Sequence, residues 1–215
     1  MTTCPTPRSR AAGAVLAALT VGVLAGCGGS EPPLANDEPS AAPVDELAAH
    51  DGKVCPRRLP RSQDPDLWLG PTTPAESAPS LPPPESAWVC RYQPVDPAPG
   101  PDADDARPGW ARDGEVRRVP PGRLPALERS LGQLEPAPDD RMCTADLGPR
   151  WMLVQAHDND LTGVVVDEFG CRDVRLTDEP FETAVGEASQ PGTVPGVLTG
   201  PASLLDLLQS IHPRR

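Results

Sequence analysis

The stretch that decides the fold is residues 150–171, RWMLVQAHDNDLTGVVVDEFGC. It holds two runs rich in large apolar and β-branched residues, 150–157 and 161–168, and both runs favour strands. Between them stand two aspartates and an asparagine, which are residues typical of tight turns. The pattern therefore predicts a β-hairpin centred near residue 159.

The cysteines extend this hairpin into a cross-linked domain. Four of the six, Cys55, Cys90, Cys143 and Cys171, lie beyond the N-terminal segment, and their spacing shows no CxxC or Cys–His pair that would indicate a metal. An even number is typical of disulfides in an exported chain. We favour the pairs Cys55–Cys90 and Cys143–Cys171, because folding the hairpin brings the second pair together. Pairing Cys143 with Cys90, and Cys55 with Cys171, stays open as the alternative.

The segments around the hairpin complete a mixed fold. Leu124, Leu127, Leu131 and Leu134 form one apolar stripe at helical spacing, so residues 121–134 are predicted to be a helix. A second helix is predicted to begin at Pro201, with its inward face made by Leu204, Leu205, Leu208 and Ile211. Further strands are expected at 86–93, at 114–120 on a sheet edge, and at 171–176. We predict an α+β domain, in which a small antiparallel sheet is packed by two helices and held by two disulfides.

Proline and acidic residues dominate the chain before residue 110. Leu, Ile, Val and Phe make up about 14% of residues 28–141 and about 27% of residues 142–215, and values below about 20% are typical of disorder. Residues 27–54 are therefore predicted to be a flexible tether that precedes a folded domain at 55–215. Disordered loops are expected within that domain near 69–87 and 96–109.

The N-terminus has the features of an export signal. Arg8 and Arg10 precede an uncharged run of sixteen residues, 11–26, which is shorter than a typical membrane-spanning helix. The run ends in Leu24-Ala25-Gly26-Cys27, and this tetrapeptide resembles the lipobox of bacterial lipoproteins. A plain secretory signal and an uncleaved anchor helix are the alternatives.

The resemblance to bacterial lipoproteins implies a lipid anchor. It implies that residues 1–26 are a signal peptide, that the Cys27 thiol carries a diacylglyceryl group, and that the mature chain begins at Cys27. The protein would then be held at the outer face of the cytoplasmic membrane, since two acyl chains anchor firmly. The bias toward Ala, Arg, Pro, Gly and Asp also resembles actinobacterial surface lipoproteins of unassigned activity. The formal net charge of −12 argues against a nucleic-acid partner.

Few residues in the sequence are candidates for catalysis or ligand binding. His157 stands beside Asp158 and Asp160, which permits a hydrolase-like arrangement, but the same residues suit a polar hairpin turn. Common catalytic and phosphate-binding motifs are missing from the sequence, and we predict no cofactor and no metal. Trp88 and Trp151 are expected in the core, whereas Trp68 and Trp110 lie in turn-rich sequence and, if exposed, could contact a carbohydrate or a protein.

Three function classes remain. The first is a non-catalytic binding or accessory lipoprotein with an envelope or extracellular protein partner. The second is a hydrolase that uses His157 with Asp158 or Asp160. The third is an inhibitor that presents a disulfide-closed loop, such as 55–90, to a secreted protease. The absence of a catalytic motif favours the first class.

Overall fold

Seven strands form one antiparallel sheet in the computed structural model, which describes residues 45–67, 70–96, 108–144 and 147–213. The strands are β1 (Ser86–Val95), β2 (Gly109–Arg118), β3 (Glu135–Pro136), β4 (Arg150–His157), β5 (Asp160–Asp167), β6 (Val174–Thr177) and β7 (Leu198–Thr199). Their order across the sheet is β2-β1-β4-β5-β6-β7-β3. The α-helices are α1 (Glu46–Ala49), α2 (Leu124–Leu131) and α3 (Ala202–Ile211), with short 3-10 turns at Pro65–Leu67 and Pro121–Arg123. The predicted α+β class is thus confirmed.

The central hairpin has the predicted position. β4 pairs with β5 from Arg150 opposite Asp167 to His157 opposite Asp160, which leaves a loop of two residues. Those residues, Asp158 and Asn159, have φ angles of 48° and 68°, and positive values at both positions are required by the turn that best matches the twist of a hairpin. Asp and Asn tolerate this left-handed conformation better than most residues, which is why the turn falls here.

The sheet is buried on both faces. Trp151 and Leu153 of β4 pack toward α2 and α3, whereas the alternate residues Met152 and Val154 pack toward the opposite face. Side chains on a strand alternate between faces, so a strand covered on both sides must be apolar without interruption. This explains the continuous run WMLV in β4 and the run VVV in β5.

The helices cover one face as their leucine stripes predict. Leu127 and Leu131 of α2 are buried together with Leu204 and Leu208 of α3. Pro201 is the N-cap residue of α3, which matches the predicted start of this helix. β2 lies at the edge of the sheet, also as predicted. The two-residue strands β3 and β7 were not predicted, because they are too short to show periodicity.

Both preferred disulfides are present. Cys55 pairs with Cys90 at a Cα–Cα distance of 6.6 Å, and Cys143 pairs with Cys171 at 5.0 Å. Both distances lie within the range of ordinary disulfides. The alternative pairing is therefore wrong, and the hairpin-closing bridge is confirmed. Two such cross-links are typical of a domain that folds outside the cytoplasm.

Residues 45–54 correct the predicted boundary of the tether. Asp45 caps α1 by accepting a hydrogen bond from the Ala48 amide at 2.9 Å, and Val54 is buried against the second face of the sheet. Leu47 is partly buried in the same cluster. The composition of the surrounding chain hid these residues, although an Asp cap before Glu-Leu-Ala-Ala is a helix signal. The folded domain thus begins at least ten residues earlier than predicted.

The proline-rich segment after residue 69 also differs from the prediction of a disordered loop. Residues 70–85 contain neither helix nor regular strand, but the Ala75 amide donates to Val197 O at 2.9 Å and the Ser80 amide donates to Gly192 O at 2.8 Å. Pro74 forms a bridge with Val197, and β1 begins at Ser86. Prolines limit the backbone freedom of this segment, so it holds an extended path without a ladder of hydrogen bonds.

Several predictions concern residues outside the described part of the chain. These are the signal peptide 1–26, Cys27, tether residues 28–44, Trp68 and most of the loop 96–109. Among the described residues, no helix combines the length and apolar character that crossing a bilayer requires.

Candidate functional site

His157 lies at the hairpin turn, where it was predicted. Its Nδ1 donates to the Pro83 carbonyl at 3.1 Å, and its Nε2 lies 3.2 Å from the carboxylate of Asp158, which is 84% exposed. The carboxyl of Asp160, the cross-strand neighbour, instead faces Glu46, Asp178 and Glu179. The structure therefore brings His157 together with Asp158 but separates it from Asp160. Fixed by a backbone carbonyl and open to water, this imidazole has the features of a polar turn residue.

Large apolar side chains are exposed close to the second disulfide in the sequence. Among the described residues, the large hydrophobic side chains that are exposed are Met142, Leu147 and Phe169. All three lie within four positions of Cys143 or Cys171, and we call them the disulfide patch. The bridge ties the segment before β4 to the segment after β5. Leu147 and Phe169 line the same cavity, and exposed apolar side chains that lie together mark interaction surfaces more often than scattered ones do.

A small cavity opens at the disulfide patch. Its volume is about 180 Å³, and its lining includes Leu147, Gly148, Phe169, Trp110 and Arg150. The ring of Phe169 lies directly over Gly148, and a Cβ at Gly148 would collide with it. Glycine is therefore required at this position for the ring to close one side of the cavity. The volume matches one protein side chain and falls below the 300–1,000 Å³ of typical small-molecule sites.

A ladder of charged side chains forms the floor of the cavity. Asp167 accepts from Arg150 Nε at 2.7 Å and from Arg175 Nη1 at 2.8 Å. Asp173 accepts from Arg175 Nη2 at 2.7 Å and also pairs with Arg141. Arg150 and Arg175 are almost fully buried, so each needs these carboxylates to offset its loss of hydration. The floor is thus a rigid ionic network whose guanidinium groups are engaged within the protein.

Trp110 lies in a strand, although turn-rich sequence surrounds it. It could contact a carbohydrate or a protein if exposed, but it is part of β2, is 5% exposed, and donates from its indole Nε1 to Gly148 O at 3.0 Å. The guanidinium carbon of Arg150 stands 3.6 Å from its ring centroid. Burial, strengthened by the nearby charge of Arg175, lowers the pKa of Arg150, while Asp167 opposes the shift. The indole therefore supports the ionic floor, and the other two described tryptophans, Trp88 and Trp151, pack in the core as predicted.

Among the described residues, one cluster contains three side chains of the kinds that bind metal ions, but its chemistry does not support metal binding. That cluster consists of Cys143, Cys171 and Asp173. Both sulfurs are joined in the disulfide, and Asp173 is already paired with two arginines. A cysteine binds a metal ion through a free thiolate, so the two bonded sulfurs do not provide ligands.

A second cavity, not expected from the sequence, lies beside the end of α3. It has a volume of about 680 Å³ and is lined by Arg91, Asp113, Arg117 and His212, among others. His212 is 9% exposed, donates from Nε2 to Glu115 O at 2.8 Å, and packs edge-on against Trp151. The lining of this cavity contains arginines and acids that are paired with one another, so it indicates no particular class of ligand.

Comparisons with known proteins give no family. No protein-family model, no curated protein and no solved structure matches this chain. The candidate site is thus defined by its geometry alone, as an apolar rim over an internally paired ionic floor.

Proposed function

We propose that the protein is a lipid-anchored, extracytoplasmic lipoprotein that binds a partner protein at the disulfide patch and has no catalytic role. The observation that carries this proposal is that Leu147 and Phe169 are exposed on the lining of one cavity, while the exposed Met142 adjoins Cys143 of the disulfide. Exposed apolar surface is unfavourable in water, and contact with a partner would bury it.

The cavity behind the patch defines what the partner supplies. Its volume of about 180 Å³ accommodates one side chain, and the arginines at its floor are already bonded within the ladder. A large apolar side chain is therefore the best occupant, because it would cover Leu147 and Phe169 without requiring new charge pairs. Buried anchors of this kind dominate the binding energy of many protein interfaces.

Charge favours a protein over the membrane as the occupant. The chain has a formal net charge of −12, and loss of residues 1–26 would remove Arg8 and Arg10 without removing an acid. Anionic lipid headgroups repel such a surface, so a membrane is a poor partner for the patch.

Replacing Phe169 by aspartate is expected to weaken partner binding by roughly 30-fold, which corresponds to about 2 kcal/mol, a typical value for an interface anchor. A photoreactive amino acid at Met142 in intact cells should first link the protein to one partner, which is identified by mass. Affinity for the purified partner is then measured by titration. Ala202→Asp, which adds the same charge at an exposed position of α3, should change the affinity by less than about twofold.

The proposal fails if position 142 links only to lipid or to a second copy of the chain. It also fails if Phe169→Asp and Ala202→Asp bind the partner equally well. Both substituted positions are exposed, so far-ultraviolet circular dichroism should show an unchanged fold for either variant.

The anchor has a separate test. Cys27→Ser is expected to move the protein from the membrane fraction to the soluble fraction, because it removes the thiol that would carry the acyl chains. Membranes are separated by sedimentation, and lipid attachment is followed with a labelled fatty acid. Cys4→Ser, within the predicted signal peptide, is the matched control and should leave both readouts unchanged. Retention of lipid label by the Cys27 variant would exclude the lipobox assignment.

A further inference from the structure

Residues 45–54 pack on the second face of the sheet, which is the face that Met152 and Val154 point to. Few contacts hold this segment in place. Residues 45–54 include α1, which has only four residues and no buried residue of its own. Glu46 makes the main polar contacts: its amide donates to Asn159 O at 3.2 Å, and its carboxyl accepts from the Leu161 amide at 2.7 Å. Apart from Val54 at its end and the partly buried Leu47, the segment buries little apolar area, and such a short helix is a candidate for local detachment.

Glu46 is surrounded by other acids. Asp160 of β5 and Glu179 from the segment after β6 act on it directly, and Asp178 acts on Asp160. Asp178 is itself bonded to Ser189, Gln190 and Thr193, so it is fixed in place. A histidine also contacts the cluster: His50, the C-cap residue of α1, places its Nε2 3.2 Å from Glu179 and stacks its ring on Phe181 with centroids 3.9 Å apart. Each further ionised carboxylate in this cluster therefore raises the free energy of the docked segment.

We propose that residues 45–54 form a detachable latch, docked on β5 in acid and released when the carboxyl cluster around Glu46 ionises. The latch goes beyond the proposed binding function and does not depend on the partner. Cys55 is fixed to β1 through Cys90, so detachment would end there and leave the sheet intact.

The direction of the pH dependence follows from the state of Glu46. Burial, opposed by the Leu161 amide and reinforced by Glu179 and Asp160, raises the pKa of Glu46 from 4.5 to about 8. A carboxyl with a raised pKa in the docked state stabilises docking fully below pH 4.5, and this contribution is lost as pH rises through 8. Burial, reinforced by the charge of Asp178, also raises the pKa of Asp160, so this carboxyl acts in the same direction.

Release would lengthen the connection to the N-terminus. Ten residues, 45–54, would join the predicted tether and add roughly 33–36 Å of fully extended chain. The root-mean-square span from Cys27 would rise from roughly 23 Å to roughly 29 Å for a flexible chain. If Cys27 carries the lipid, pH would set how far the disulfide patch reaches from the membrane.

The sequence provides a direct probe of the latch. Lys53 is the only lysine in the chain, so a lysine-specific protease cleaves after this residue alone. Cleavage requires several residues around the bond to leave the folded surface, and the rate therefore reports detachment. The full chain in detergent is digested at pH 6 and pH 8, and each rate is divided by that of a free peptide covering residues 45–58, which removes the pH dependence of the protease.

The relative cleavage rate is expected to rise at least tenfold between pH 6 and pH 8, because each pH unit below a raised pKa changes the docking equilibrium by up to tenfold. Glu46→Gln, which resembles the protonated side chain, should keep cleavage slow at pH 8 and reduce the rise to less than about threefold. Glu76→Gln, the same change at an exposed position outside the latch, should behave as the unmodified protein.

Two outcomes would overturn the latch. One is a relative rate that is constant between pH 6 and pH 8. The other is a Glu46→Gln protein whose rate rises as steeply as that of the Glu76→Gln control. If Glu46→Gln were cleaved rapidly at both pH values, the amide would have failed to dock, and Glu179→Gln then decides. Loss of the Glu179 charge lowers the pKa of Glu46, so the rise in rate between pH 6 and pH 8 should become smaller, and an unchanged rise rejects the proposal.

Discussion

Replacing Asp167 by alanine is expected to reduce the free energy of unfolding by about 3–5 kcal/mol, the range observed when one partner of a buried ion pair is removed. The Asp167 carboxylate stands between Arg150 and Arg175, whose side chains are 7% and 5% exposed. Without it, two buried guanidinium groups would repel each other and lose their shared acceptor. Urea unfolding with the disulfides intact measures the loss as a lower midpoint at constant slope.

Asp113→Ala is the matched control for this prediction. Asp113 also pairs with an arginine, Arg91, at 2.6 Å, but its side chain is 50% exposed. Exposed pairs are worth about 0–1 kcal/mol, so the control should remain within about 1 kcal/mol of the parent. Equal losses from the two variants would show that Asp167 does not neutralise buried charge.

Replacing both Cys55 and Cys90 by alanine is expected to cost about 4 kcal/mol or more. The bridge closes a loop with a sequence separation of 35, for which chain entropy contributes about 4 kcal/mol, and both residues are also buried in the second core cluster. Because stabilities of domains are about 5–15 kcal/mol, a large share would be lost. Thermal unfolding followed by circular dichroism gives the change.

The Cys143→Ala/Cys171→Ala double variant is the comparison for this experiment. Its loop has a separation of 28, so the entropy contribution is similar, at roughly 3–4 kcal/mol, but Cys143 is exposed and little packing is lost. We therefore expect the first double variant to be the less stable of the two. The reverse order would mean that Cys55 and Cys90 contribute little packing.

The parts of the fold that could be predicted are those with a repeated local pattern. The hairpin, the leucine stripe of α2 and the start of α3 depend on residues close in sequence, and all three were predicted within a few positions. The pairing of Cys143 with Cys171 followed from the hairpin itself. These features need no knowledge of what lies on the other side of the sheet.

Contacts between distant segments could not be predicted in the same way. Val54 and Leu47 became core residues only because the second face of the sheet needed a cover, and nothing local to the acidic segment shows that need. Trp110 was assigned to a turn because Pro108-Gly109 precede it, whereas the strand forms through pairing with β1.

The candidate site is also built from residues that are far apart in the sequence. Arg150 and Arg175 are separated by 25 positions, and their shared acceptor becomes evident only when β4, β5 and β6 are aligned. The sequence made His157 a candidate catalytic residue, since a histidine beside acids is a familiar catalytic pattern. Phe169 and Leu147 were not candidates for the site, because an apolar residue near a cysteine usually indicates a core position.

The Cys55–Cys90 bridge has a mechanical consequence. A pull on the N-terminal side of the domain would first peel residues 45–54 from β5, against few hydrogen bonds. At Cys55 the load would pass through the covalent bond into β1, which is paired with β2 on one side and β4 on the other. Extension would therefore stop after about 35 Å, and further force would act in shear on β1 between β2 and β4. The bridge thus separates an N-terminal segment that extends easily from a sheet that resists extension.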